Sequence, residues 1–144
     1  MNNNSKTKKS IIDTYKCIYP VELVVANEAV TLEELQELYT YTDYSELDNR
    51  VTTDDCNATV TQVYRKSDNK ACCLVKYNNN DCCKTANKKE NFISTISHEA
   101  GHVCLDIYEY IEQNICNCSP EPFCYLLGWV TVCIYKTLSK KWII

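Results

Sequence analysis

Apolar residues recur every three or four positions between about residue 91 and residue 113. This spacing forms one apolar stripe along an α-helix and leaves a polar face opposite to it. The stripe consists of Ile93, Ile96, Ala100, Val103, Ile107 and Ile111. The polar face carries His98, His102, Asp106 and Glu109. The pattern therefore predicts a long amphipathic helix with chemically useful side chains on its polar face.

A second helical pattern follows a break at residues 114–119. Ser119, Pro120 and Glu121 form a typical helix start, with an N-cap serine, an early proline and an acid in the first turn. The predicted buried stripe consists of Phe123, Leu126, Leu127, Val130, Ile134 and Leu138. The opposite side, with Glu121, Tyr125 and Gly128, is expected to face the helix predicted for residues 91–113. The apolar run is too short to cross a bilayer, so we predict a buried helix.

The first half of the chain has the pattern of short strands. Residues 20–26 have the β-branched content of a strand, and residues 58–64 and 71–77 form the two strands of a predicted hairpin. Thr31 and Glu34 form a capping box that opens a short helix ending near residue 39. Residues 41–57 and 78–89 are predicted loops. Strands followed by two long helices predict an α+β fold with a small antiparallel or mixed sheet of about three strands.

Composition limits the possible functions. At 144 residues with a net charge of −4 and no basic stripe, the chain is expected to be one domain that binds no nucleic acid. The polar residues 1–9 are a predicted disordered tail, and no signal-peptide core or membrane span follows them. We therefore expect a cytoplasmic protein in which most of the eleven cysteines are reduced, buried thiols.

Both histidines of the chain lie in His98-Glu99-Ala100-Gly101-His102, an H-E-x-x-H motif. Residues four apart share one face of a helix, so both imidazoles can bind a single ion. Glu99 lies beside that face, where a carboxylate can accept a proton from water at the metal. A solvated polar face is the simpler alternative. The motif predicts a Zn²⁺-dependent hydrolase site.

A catalytic zinc usually takes three protein ligands, and two come from the histidines. Asp106 and Glu109 lie too far along the same helix, roughly 9–14 Å from the middle of the histidine pair. The first carboxylate after the break is Glu121, which we predict as the third ligand. The alternative is that Glu121 only stabilises the positive end of the helix dipole.

The motif followed by a glutamate nineteen residues after His102 resembles the gluzincins, the thermolysin-like zinc metallopeptidases. Residues 121–129 are also similar to short H-E-x-x-H proteins of phages and prophages. The resemblance implies a minimal zincin-like fold over residues 10–144, with His98, His102 and Glu121 as zinc ligands and Glu99 as general base. It also implies a peptide or protein substrate held along an edge strand, either residues 58–64 or 71–77, and a host-cytoplasm or virion location.

The chain departs from the gluzincin pattern beyond the third ligand. Tyr125 stands where the family has an aspartate that orients an imidazole, and Asp106 is the candidate replacement. No further histidine is present to assist the transition state. Tyr125, or alternatively Tyr108, is the candidate oxyanion-stabilising residue, although an ordinary interface tyrosine is the simpler interpretation.

Two rival functions remain open from the sequence. A catalytically silent zincin-like accessory or structural protein would keep the scaffold and bind a protein partner without cleaving it. Alternatively, thiolates from Cys72-Cys73, Cys82-Cys83 and Cys116-Asn117-Cys118 would hold a structural zinc. Adjacent cysteines in a strand point to opposite faces and no C-x-x-C pair is present, so buried thiols are favoured over this cluster.

Overall fold

The computed structural model describes residues 9–78 and 88–140. The predicted tail therefore lies outside the described residues except for Lys9, as does most of the predicted loop 78–89. The described strands are β1 (Ile12–Lys16), β2 (Glu22–Ala26), β3 (Tyr39–Tyr41), β4 (Ala58–Arg65) and β5 (Ala71–Tyr77). The described helices are α1 (Leu32–Leu38), α2 (Lys88–Tyr110) and α3 (Glu121–Ser139).

The strands form one mixed sheet with the order β1-β2-β5-β4-β3. The central strands β2 and β5 are parallel, and every other neighbouring pair is antiparallel. The predicted α+β class and mixed sheet are confirmed. The prediction of about three strands is wrong, because β1 extends the sheet at one edge and β3 extends it at the other. The β1 sequence contains Asp13 and Lys16, which hide its strand pattern. The carboxylate of Asp13 is held by Thr137 and Lys140 of the C-terminal region.

Each face of the sheet carries its own hydrophobic core. On one face, Leu23, Val25 and Val75 pack against the buried sides of α2 and α3. On the other face, Val24 and Leu74 pack against α1 and the segment that follows β3. Because consecutive strand residues point to opposite faces, the unbroken apolar run of β2 supplies both cores.

The short helix α1 begins as the sequence predicts. Thr31 is the N-cap, and its Oγ1 accepts a hydrogen bond from the backbone N–H of Glu34 at 3.2 Å. The carboxylate of Glu34 accepts a hydrogen bond from the Ser10 hydroxyl at 3.2 Å. The glutamate therefore also ties the first described residues of the chain to the helix.

The two long helices differ in detail from their sequence patterns. In α2 the predicted stripe is buried from Ile96 to Ile107, but Ile93 is 58 % exposed, so its assignment to the core is wrong. In α3 the N-cap is Pro120 rather than Ser119, and no side chain caps the helix. The backbone N–H of Ser119 instead donates to Cys116 O in the preceding turn. Among the described helices, none combines the length and apolar character needed to cross a lipid bilayer.

The predicted packing face of α3 is reversed. Phe123 lies edge-on against Tyr108 of α2 with ring centroids 5.1 Å apart, whereas Tyr125 is 75 % exposed and Gly128 is also exposed. The expectation that the Glu121 side faces α2 is therefore wrong. Burying the apolar stripe of α3 against both the sheet and α2 removes more apolar surface from water than burying it against the sheet alone.

Candidate metal centre

His98 and His102 lie one helical turn apart on α2 and point toward each other. Their Nε2 atoms are 3.1 Å apart, and both side chains are exposed. Zinc–nitrogen bonds of about 2.0–2.1 Å to two atoms at this separation meet at an angle of about 100°, close to the tetrahedral value. The separation of the two Nε2 atoms is therefore compatible both with a hydrogen bond between the rings and with two bonds to one zinc ion.

Glu99 separates the histidines from the core. This residue is only 7 % exposed, although its side chain carries a carboxyl group. Burial raises the pKa of Glu99, while the charges of His98 and His102 act in the opposite direction. A carboxylate whose pKa lies closer to neutrality is a better acceptor and donor of protons in a hydrolytic reaction.

Two polar contacts fix α2 along β4. Asn57 Nδ2 donates to Thr95 Oγ1 at 3.2 Å just before β4, and the side chain of Gln62 on β4 lies beside the carboxylate of Asp106 and acts to lower its pKa. The strand segment and the helix segment between these contacts each span about 17 Å. Asn57 and Gln62 carry no signal of this role in the sequence, because only the fold brings them to α2, and Thr95 lies in the helix outside the H-E-x-x-H motif.

The histidines lie on the solvent side of the line that joins the Asn57–Thr95 contact to the Gln62–Asp106 contact. Thr95, His98, His102 and Asp106 share a sector of about 80° on the helix. Thr95 and Asp106 meet β4, and the exposed histidines lie further from the buried side of α2. The pair therefore lies on the solvent side of α2, between the two contacts along the helix axis.

Among the residues that the structure describes, the outer edge of β4 pairs with another strand only near its C-terminal end. Strand β3 pairs only with Val63, Tyr64 and Arg65. Within the described part of the chain, no strand pairs with residues 58–62 on that side. The prediction that residues 71–77 form an edge strand is wrong, because β5 lies between β2 and β4. Residues 58–62 are the part of the other predicted strand that has no strand partner on that side among the described residues, and the binding of a peptide there stays a prediction.

A cavity of about 160 Å³ lies at the Asp106 end of the contact line. Its lining includes Gln62, Cys73 and Asp106, and the Cys73 thiol lies 4.0 Å from the Asp106 carboxylate. Burial raises the pKa of Asp106, and the charge of Glu109 adds to this effect. Among the described residues, no hydrogen bond joins Asp106 to either histidine. The prediction that Asp106 orients a metal-bound imidazole therefore has no support in the geometry.

The structure does not bring Glu121 to the histidine pair. Helix α2 packs on β4 and β5, whereas α3 packs on β2 and β1, so α3 and the open edge of β4 lie on opposite sides of α2. Glu121 is exposed in the first turn of α3. No group of three or more histidine, cysteine, aspartate or glutamate side chains that could hold a metal is formed by the residues described. The role of Glu121 as third ligand stays a prediction.

The two candidate oxyanion-stabilising tyrosines have different surroundings. Tyr108 is buried, with its ring edge-on to both Tyr19 and Phe123, at centroid distances of 6.3 and 5.1 Å. These contacts are those of an ordinary core tyrosine. Tyr125 is exposed on the side of α3 opposite to Phe123, and its catalytic role stays a prediction.

Four of the described cysteines match the prediction of buried thiols. They are Cys72, Cys73, Cys104 and Cys133. Burial raises the pKa of all four, to about 12 for Cys104, so these thiols remain protonated. The prediction is wrong for Cys116, Cys118 and Cys124, which are exposed. Cys82 and Cys83 lie outside the described residues.

Comparison with known proteins does not assign the chain to a family. No family model, no curated protein and no solved structure matches it. The interpretation of the site therefore depends on the geometry of His98, Glu99 and His102.

Proposed function

We propose that this protein is a zinc-dependent metallopeptidase with a zincin-like fold. One observation carries the proposal. Two exposed imidazole nitrogens stand 3.1 Å apart on α2, and the intervening Glu99 is buried beside them. An ordinary solvated helix face offers no reason to bury a carboxylate next to two histidines, because burial of an uncompensated charge is unfavourable.

His98 and His102 would hold the metal, and Glu99 would move the proton. When bound, zinc supplies a Lewis acid that lowers the pKa of water at the site. Glu99 would accept the proton of the attacking water and then donate it to the amine that leaves when the peptide bond breaks. The raised pKa of Glu99 suits both steps, because the side chain must gain and lose a proton near neutral pH.

The open edge of β4 supports a peptide as the substrate. An extended peptide can pair with an unpaired strand edge through main-chain hydrogen bonds, and residues 58–62 offer such an edge. The Asn57–Thr95 hydrogen bond and the approach of Gln62 to Asp106 hold β4 against the helix that carries the histidines. A peptide bound here would therefore pass close to Glu99 and the metal.

A protein that binds a partner without cleaving it is the second candidate. It is favoured by the position of Glu121, which leaves the described histidine pair without a third protein ligand. The open edge of β4 would then hold a partner strand rather than a substrate. Binding of zinc with no turnover of peptides would support this candidate.

The first experiment is a zinc measurement by elemental mass spectrometry after reconstitution of the full chain. We expect about one zinc per chain in the wild type and none above background in His98→Ala and His102→Ala. Glu109→Gln, an exposed change on the same helix, is the matched control and should keep its zinc. Zinc retained in both histidine variants would overturn the proposal.

A further inference from the structure

The segment between α2 and α3 carries two exposed cysteines that lie close together. Cys116 Sγ and Cys118 Sγ are 2.9 Å apart. A disulfide bond is about 2.05 Å long, so the two sulfur atoms need to approach by less than 1 Å to bond. This pair is distant in the sequence from the histidine motif and plays no part in the proposed hydrolysis.

A turn of the backbone brings the two thiols together. The backbone N–H of Ser119 donates to the carbonyl of Cys116 at 3.2 Å, which closes a turn over residues 116–119. Cys116 and Cys118 occupy its first and third positions. The turn lies at the surface, so both sulfur atoms are accessible to a dissolved reactant.

The surroundings of Cys116 favour its thiolate form. A hydrogen bond with the Cys118 thiol lowers the pKa of Cys116, and the backbone N–H groups of Cys118 and Ser119 act in the same direction. The buried Cys104 and Cys133 have pKa values raised to about 12 and about 11. The thiolate is the attacking species in disulfide exchange, so Cys116 combines access with a pKa that is shifted toward this reactive form.

We propose that Cys116 and Cys118 form a dithiol site that reacts with low-molecular-weight disulfides and closes into an intramolecular disulfide. The chemical class of the reactant is a disulfide of small thiols, such as glutathione disulfide. The site is independent of the proposed zinc chemistry and would function in a protein without metal.

The reaction proceeds in two exchanges. The Cys116 thiolate attacks one sulfur of the small disulfide, forming a mixed disulfide and releasing one small thiolate, which takes a proton from solvent. Cys118 then loses its proton, and its thiolate attacks the Cys116 sulfur and releases the second small thiolate. The protein dithiol is oxidised by two electrons, and the small disulfide is reduced to two thiols.

The experiment uses the full chain, reduced and freed of reductant, with glutathione disulfide as the probe at pH 7. Samples are quenched with N-ethylmaleimide, digested with chymotrypsin and analysed by mass spectrometry. Cleavage after Tyr110 and Phe123 gives the peptide 111–123, in which Cys116 and Cys118 are the only thiols. Variants Cys116→Ser, Cys118→Ser and Cys124→Ser are treated in parallel, and circular dichroism establishes that each is folded.

We expect the wild-type peptide to lose two hydrogens and to escape alkylation. Cys118→Ser should accumulate a glutathione adduct on Cys116, because the second exchange cannot occur. Cys116→Ser should react at least tenfold more slowly, whereas Cys124→Ser, which removes another exposed thiol, should behave as the wild type. An unoxidised wild-type peptide, or equal rates in wild type and Cys116→Ser, would overturn the proposal. All three substituted side chains are exposed, so loss of folding is not expected.

Discussion

Tyr108 near the end of α2 and Phe123 in the first turn of α3 meet edge to face, with ring centroids 5.1 Å apart. This contact fixes which side of α3 packs against α2 and directs Tyr125 into solvent. Tyr108 lies six residues beyond His102, about 9 Å along the helix axis. The start of α3 is therefore tied to the end of α2 that lies away from the histidines.

Replacing Phe123 by alanine should destabilise the protein by about 2 kcal/mol, because a partly buried aromatic ring and its contact with Tyr108 are lost. Tyr125→Ala, on the exposed side of the same helix, should change the free energy of unfolding by no more than about 0.5 kcal/mol. Urea denaturation of both variants measures the difference. A larger loss in Tyr125→Ala would mean that the packing side of α3 is the one predicted from the sequence.

Changing Glu99 to glutamine should lower peptide hydrolysis at least 100-fold while zinc remains bound, because the amide cannot accept a proton from water. Zinc content and the rate of cleavage of a fluorescent peptide library are measured on the same samples. Glu109→Gln serves as the control for the loss of one charge on α2. Hydrolysis that survives in Glu99→Gln would rule out the proposed role of this residue.

Zinc titrations can separate a two-histidine site from a three-ligand site. Because α3 lies on the far side of α2 from the open edge of β4, we expect Glu121→Gln to weaken zinc binding much less than His98→Ala does. Affinity is measured by competition with a chromogenic chelator. An equal loss in the two variants would establish Glu121 as the third ligand and would require α3 to rearrange when the metal binds.

The buried Lys76 makes stability depend on pH. Its side chain is 2 % exposed, and its Nζ donates to the carbonyls of Asn27 and Tyr77 at 3.1 and 2.8 Å. Burial lowers the pKa of Lys76 from 10.5 to about 8. Between these two values the unfolded chain holds a proton that the folded chain has lost, so stability should rise with pH in this range.

This pH dependence is measured as the difference in the free energy of unfolding between the wild type and a variant. The free energy of unfolding of the wild type relative to Lys76→Met should increase from pH 8 to pH 10.5, with a slope of at most about 1.4 kcal/mol per pH unit. Titrations of cysteine and tyrosine side chains occur in both proteins and cancel. Lys66→Met, at an exposed position after β4, should show no such difference from the wild type. A flat difference for Lys76→Met would contradict the prediction.

Local patterns in the sequence predicted the elements that depend on local chemistry. The period of apolar residues located α2 and α3, and the Thr31 cap located the start of α1, because each signal acts within one or two helical turns. The β-branched content of residues 20–26 located β2, and the predicted hairpin of residues 58–64 and 71–77 located β4 and β5. The spacing of His98 and His102 was sufficient to predict that their rings would meet.

Features set by long-range packing were not predictable in the same way. The period of α3 identifies its apolar stripe, but it does not say that Phe123 turns toward α2. Strand β1 forms because β2 offers it an edge and because Asp13 is bound by Thr137 and Lys140, which follow it by more than 120 residues. Lys76 lies in a strand that the sequence predicted, yet one of the two carbonyls that accept from its buried amine belongs to Asn27, 49 positions earlier in the chain.

The parallel pairing of β2 with β5 has a consequence for how the protein folds. Glu22 pairs with Cys72, fifty positions later in the chain, whereas β4 and β5 are joined by a short turn. Contacts between distant positions require a large loop to close before they contribute stability, which slows folding. The β4–β5 hairpin should therefore assemble early and act as the template on which β2 docks. Until β2 docks on β5, neither core can close. The folding rate should therefore depend on the pairing of these two central strands rather than on the formation of the helices.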